Sequence, residues 1–80
     1  EAYIIGIVYS KKIWDNKILV ELEDRSGRQR IFAFKNSNPK AYIELAETPL
    51  DAVIGVHISI APSGLYIAKE IFYPSVKSLN

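Results

Sequence analysis

Residues 18–23 carry the cleanest period-two pattern in the chain: Ile18, Val20 and Leu22 on one face, Leu19, Glu21 and Glu23 on the other. A polar turn closed by glycine follows, Asp24-Arg25-Ser26-Gly27, and residues 28–34 alternate again. Two β-type runs joined by a short Gly-containing segment predict a hairpin. Asp24 and Ser26 have side chains suited to bonding nearby amides, and Gly27 can take the positive φ that ends such a turn. The inward set of the second run is open, either Ile31 and Ala33 or Phe32 and Phe34. A lone hairpin is at best marginal in water, so the rest of the chain must cover this one.

Upstream, residues 2–10 set Tyr3, Ile5, Ile7 and Tyr9 against Ile4, Gly6, Val8 and Ser10. Both faces are largely apolar, which predicts a strand with both faces partly covered. Gly6 inside it predicts a bend or bulge, as at a barrel corner. Residues 11–17 read as a polar loop holding Trp14, with Asp15-Asn16 as its turn signal. Downstream comes one helical signal. Asn38 can cap, Pro39 suits the first helical position, and Tyr42, Leu45 and Ala46 follow at helix spacing with Ile43 beside them. Thr48-Pro49 stops the helix. Residues 52–61 and 65–73 are two further strands around the tight turn Pro62-Ser63-Gly64, and Pro74 ends the last.

The order is therefore β-β-β-α-β-β. One short helix cannot cover an open five-stranded sheet this apolar, whereas closing the sheet into a barrel removes its edges. An all-β, five-stranded OB-fold barrel, with the helix between strands 3 and 4 plugging its end, accounts for every element. An SH3-like barrel is the runner-up and needs no helix there. With 80 residues the chain is one domain, residues 1–76, and residues 77–80 read as a tail or the start of a linker. The absence of an initiating Met predicts a piece of a longer protein. No apolar run reaches the roughly 20 residues of a membrane span, and no signal peptide is visible. The absence of Cys fits a reducing, cytoplasmic setting.

The chemistry of catalysis is thin. His57 is the only histidine and sits mid-strand; without Cys or a second His, no zinc site is expected. The glycines at 6, 27, 55 and 64 are dispersed and form no phosphate loop. Glu21, Glu23 and Asp24 are read as a solvated face and a turn residue rather than a cation site. The chain is expected to be non-catalytic and to need no cofactor.

Binding is the better reading, although a net charge of +1 makes any basic footprint local. OB-folds bind oligonucleotides on the strand 2–3 face and with flanking loops, by stacking bases on aromatics over a positive groove. The candidate nucleic-acid-binding residues are Lys11, Lys12, Trp14 and Lys17 in the first loop and Arg28 and Arg30 on strand 3, with Phe32 or Phe34 as stackers if that parity faces out. The competing role for Arg28 and Arg30 is cross-strand pairing with Glu21 and Glu23.

A resemblance sharpens this. Ile4-Ile5-Gly6-Ile7-Val8, then Glu21-Leu22-Glu23-Asp24-Arg25-Ser26-Gly27, Asp51-Ala52-Val53-Ile54-Gly55-Val56, and Tyr66-Ile67-Ala68-Lys69-Glu70-Ile71-Phe72-Tyr73-Pro74 follow in order. In that succession the chain resembles the OB domain of the small subunit of archaeal family D DNA polymerase (the DNA polymerase II small subunit). The resemblance runs from Tyr3 to Val76, departing at Ser75, where the family usually has Asp. It implies a scaffolding and DNA-contacting module whose parent carries 3′–5′ exonuclease activity in a separate phosphodiesterase domain. The implied partners are DNA, that domain and the polymerase large subunit. A free-standing single-stranded-DNA binder resembling replication protein A is the alternative.

Overall fold

The computed structural model describes residues 2–74; the expected boundary between 76 and 77 lies outside them. The elements are β1 (Ala2–Ile13), β2 (Lys17–Asp24), β3 (Gly27–Phe34), α1 (Pro39–Glu47), β4 (Val53–Ile60) and β5 (Tyr66–Phe72). The strands close into a barrel in the order β1-β2-β3-β5-β4. All neighbours are antiparallel except β3 and β5, which meet in parallel at Ile31–Tyr66 and Phe32–Ile67. A closed five-stranded barrel with a helix between β3 and β4 is the OB-fold, as expected, and not its SH3-like rival.

The β2–β3 hairpin has a two-residue turn, Arg25-Ser26, with Asp24 opposite Gly27. An Asp24 carboxylate oxygen accepts from both the Ser26 amide and the Ser26 hydroxyl, each at 2.8 Å. Gly27 has φ 127°, a backbone region in which a Cβ is strained. This register settles the parity of β3. Val20 faces Ile31 and Ile18 faces Ala33, and all four are buried. Phe32 and Phe34 therefore point outward.

β1 departs from its sequence reading in three ways. It runs to Ile13, so Lys11 and Lys12 lie on the strand and not in a loop. Their polar character hid a ladder in which Lys11 faces Val20 and Lys12 faces Leu19. The bulge sits at Tyr9, where the register with β2 shifts between Val8 and Ser10. Gly6 carries no bulge but does lie at the expected corner, where β1 changes partner from β4 over Ala2–Ile7 to β2 from Ile7 onward. A Cβ on Gly6 would stand 2.7 Å from the Glu23 carbonyl oxygen, so glycine permits the two strands to approach at the corner. Finally, only one face of the first half of β1 is covered. Tyr3, Ile5 and Ile7 are exposed, while Val8 is fully buried.

The core is built by Val8, Ile18, Val20, Leu22, Ile31, Ile54, Val56, Ile58 and Ile71, with Ala41 and Leu45 of α1 closing one end. Asn38 caps the helix, its Oδ1 accepting from the Ala41 amide at 3.1 Å. Nine residues are too few for a stable isolated helix, and α1 is tied down at both ends. Asn38 Nδ2 donates to the Lys69 carbonyl of β5 at 3.0 Å. At the other end Lys11 Nζ donates to the carbonyls of Ala46 (2.8 Å) and Thr48 (2.6 Å), where a cation is favoured by the helix dipole.

Candidate nucleic-acid interface

Beyond the Tyr9 bulge the alternation of β1 is reset. Ser10 and Lys12 face out beside Glu21 and Leu19, while Lys11 turns inward opposite Val20. The outer surface of β1, β2 and β3 is thus one continuous strip. At one end lie Glu21, Glu23, Arg28 and Arg30; at the other lie Lys12, Trp14, Lys17, Phe32 and Phe34.

At the first end the charges are consumed locally. Arg30 Nε lies 3.3 Å from Glu21 Oε2, and Arg28 Nε lies 3.7 Å from Glu23 Oε2. The Arg28 guanidinium also covers the Tyr9 ring at 3.6 Å from its centre. Glu21 accepts a 2.7 Å bond from the Ser10 hydroxyl. That bond first, and the Arg30 guanidinium after it, hold the Glu21 carboxyl below its ordinary value. The Asp24 carboxyl is lowered likewise by the Ser26 hydroxyl and amide. The cross-strand pairing expected for Arg28 and Arg30 as the alternative to phosphate contact is the one observed.

At the second end the cations meet rings. Lys17 Nζ lies 4.9 Å and Lys12 Nζ 5.4 Å from the centre of the Trp14 ring. Among the described residues neither lysine forms a salt bridge. Phe32 and Phe34 stack with centres 6.1 Å apart, and Phe34 faces Lys17 across the ladder. The Trp14-Asp15-Asn16 turn is closed by the Trp14 amide on the Lys17 carbonyl at 2.8 Å. The first loop of the sequence reading is therefore only three residues long, and of its four named residues the structure brings three together. The fourth, Lys11, has its ammonium at the helix C-terminus. Two contributors went unnoticed in the sequence. Lys35 joins this end through its amide, 2.9 Å from the Asn16 carbonyl, and Tyr42 through its hydroxyl, 2.6 Å from the Trp14 carbonyl. Neither stands in a local motif; both are brought here by the turn into α1.

A second surface lies on another side of the barrel. Tyr3, Ile5, Ile7 and Val53 are 42–66% exposed, and Ile7 faces Val53 while Tyr3 stacks on His57 at 4.7 Å and meets Phe72 edge-on at 5.9 Å. A shallow cleft of about 330 Å³ lies between α1 and β4–β5, lined by Lys40, Glu44, His57, Lys69 and Glu70 among others. No described helix is long and apolar enough to cross a membrane.

No family model matches the chain. Two relatives do. The chain is 32% identical over 76 residues to the DNA polymerase II small subunit of Pyrococcus horikoshii and 30% identical over 76 residues to that of Pyrococcus abyssi. Each match takes in 95% of this chain and 12% of the relative. Among solved structures, the Stn1–Ten1 complex of S. pombe superposes with a TM-score of 0.73 at 19% identity, over 86% of this chain and 54% of that one; this likeness concerns the fold alone. By structure the chain is an OB-fold barrel, and by sequence nearly all of it is similar to one stretch, 12% of the length, of the DNA polymerase II small subunit.

Proposed function

We propose that this chain is a non-catalytic OB module of a replicative DNA polymerase small subunit, contacting single-stranded DNA weakly at the Trp14 end of its β1–β2–β3 face. The observation that carries this reading is the meeting of Trp14, Lys12 and Lys17 beside the outward Phe32–Phe34 pair. Bases stack on aromatics, at about 1–3 kcal/mol each, while ammonium groups take the phosphates. Arg28 and Arg30 are second-rank contacts, since each must first leave a glutamate. In the parent protein a separate phosphodiesterase domain would hold the 3′–5′ exonuclease and the large subunit would polymerise. The similarity to DNA polymerase II small subunits supports that setting, and a cytoplasmic location goes with it.

A second reading is a protein contact, with the phosphodiesterase domain or the large subunit as partner. The exposed stripe of Tyr3, Ile5, Ile7 and Val53 favours it, because exposed contiguous apolar surface marks interaction sites. The two readings use different sides of the barrel and are compatible. Titration of the ¹⁵N-labelled chain with a short oligothymidylate separates them. Amide shifts are expected at residues 12–17 and 32–35 and not at residues 3–7. Shifts confined to residues 3–7 of β1 and to β4, or none at millimolar oligonucleotide, would overturn the DNA contact.

A further inference from the structure

We infer that α1 is a strut for the β1–β2 turn, with Tyr42 the positioning residue that fixes Trp14. The inference deepens the nucleic-acid reading and rests on it for its functional meaning. Hairpin tips are ordinarily mobile, and this one has a single bond of its own, from the Trp14 amide to the Lys17 carbonyl. Two further bonds reach the tip from outside the hairpin. The Lys35 amide donates to the Asn16 carbonyl, and the Tyr42 hydroxyl donates to the Trp14 carbonyl at 2.6 Å.

The strut rests on the barrel. Ala41 and Leu45, on either side of Tyr42, are buried in the core. Asn38 fastens the start of the helix to β5, and Lys11 fastens its end to β1. Lys11 and Trp14 belong to the same hairpin, so that hairpin holds the helix at one point and is held by it at another. The Tyr42 ring is half-buried against the core and lies 5.7 Å from Lys35 Nζ. Phenylalanine would meet that packing need; the hydroxyl is required only for the bond to Trp14. Holding a stacking residue ready before the ligand arrives spares its ordering on binding, an effect of about two- to tenfold in Kd for one side chain.

Trp14 is the single tryptophan of the chain, so its fluorescence reports the turn without any ligand. In Tyr42→Phe, held well below its melting temperature, acrylamide should quench Trp14 more strongly and its anisotropy should fall. The Kd for a short oligothymidylate should rise about two- to tenfold. Gly27→Val strains the β2–β3 turn at φ 127°, far from Trp14 and from α1. It should lower the melting temperature and leave Trp14 quenching unchanged. Unchanged quenching in Tyr42→Phe, or an equal change in Gly27→Val, would overturn the strut. An oligonucleotide that fails to bind the parent chain would overturn the nucleic-acid reading instead, because the fluorescence arm decides the strut by itself.

Discussion

Where β2 turns into β3, Arg28 and Arg30 lie opposite Glu23 and Glu21 and are neutralised by them; some 20 Å away along the same ladder, at about 3.3 Å per residue, Lys12 and Lys17 lie over the Trp14 ring instead. The backbone pairing is the same at both ends, and the difference is in what faces the cations. A cation opposite a carboxylate is committed to its partner. A cation over a ring keeps its charge available to a phosphate, and the ring keeps a face for a base. Charge counting along the sequence misses this, because Arg28, Arg30, Lys12 and Lys17 all count as one positive charge each.

The contrast can be broken from the core outward. Leu45 is fully buried in α1, which braces the Trp14 turn through Tyr42. Leu45→Ala should cost about 2–5 kcal/mol in urea unfolding, with Trp14 more exposed in the folded state. A cost below about 1 kcal/mol would mean that the helix does not plug the barrel. At the other end, Gly27→Val forces a β-branched residue to φ 127° and should cost about 1–3 kcal/mol. Oligonucleotide affinity should barely change, since the turn lies far from Trp14.

Acid should act on the turn end. Asp24 and Glu21 are both lowered in the folded state from usual values of 3.8 and 4.5. A lowered carboxyl stabilises the fold above its unfolded value and loses that contribution as pH falls through the folded one. Stability should therefore drop below about pH 4.5, and Asp24→Asn should flatten that limb of the curve. The smallest effect concerns Glu21. Glu21→Gln releases Arg30 and should tighten oligonucleotide binding by less than about fivefold, as surface pairs are weak. A weaker complex in Glu21→Gln would mean that Arg30 needs its glutamate to reach the phosphate.

The barrel was legible because Ile18, Val20 and Leu22 alternate cleanly inward on β2 and the Asn38-Pro39 start marks a single short helix among five β-type runs. The site was half legible, for two physical reasons. The Tyr9 bulge resets the parity of β1, sending Lys11 inward to the helix and Lys12 outward to Trp14, and nothing in a Val-Tyr-Ser-Lys-Lys run announces an extra residue. The facing of Phe32 and Phe34 stayed open because both faces of β3 are apolar in that half. Reading Arg25-Ser26 as a two-residue turn would have set Asp24 opposite Gly27, and hence Leu19 opposite Phe32. Tyr42 and Lys35 reach the site only through the tertiary fold.

The most direct measurement is a fluorescence titration of a labelled oligothymidylate with the parent chain, Trp14→Ala and Arg30→Ala at two salt concentrations. The expected result is weak binding with a shallow salt slope, about −0.7 per phosphate contact. Trp14→Ala should lose about 5- to 150-fold in affinity, and Arg30→Ala much less. Tight, salt-resistant binding that survives Trp14→Ala and is lost in Arg30→Ala would contradict the assignment of the site to the Trp14 end.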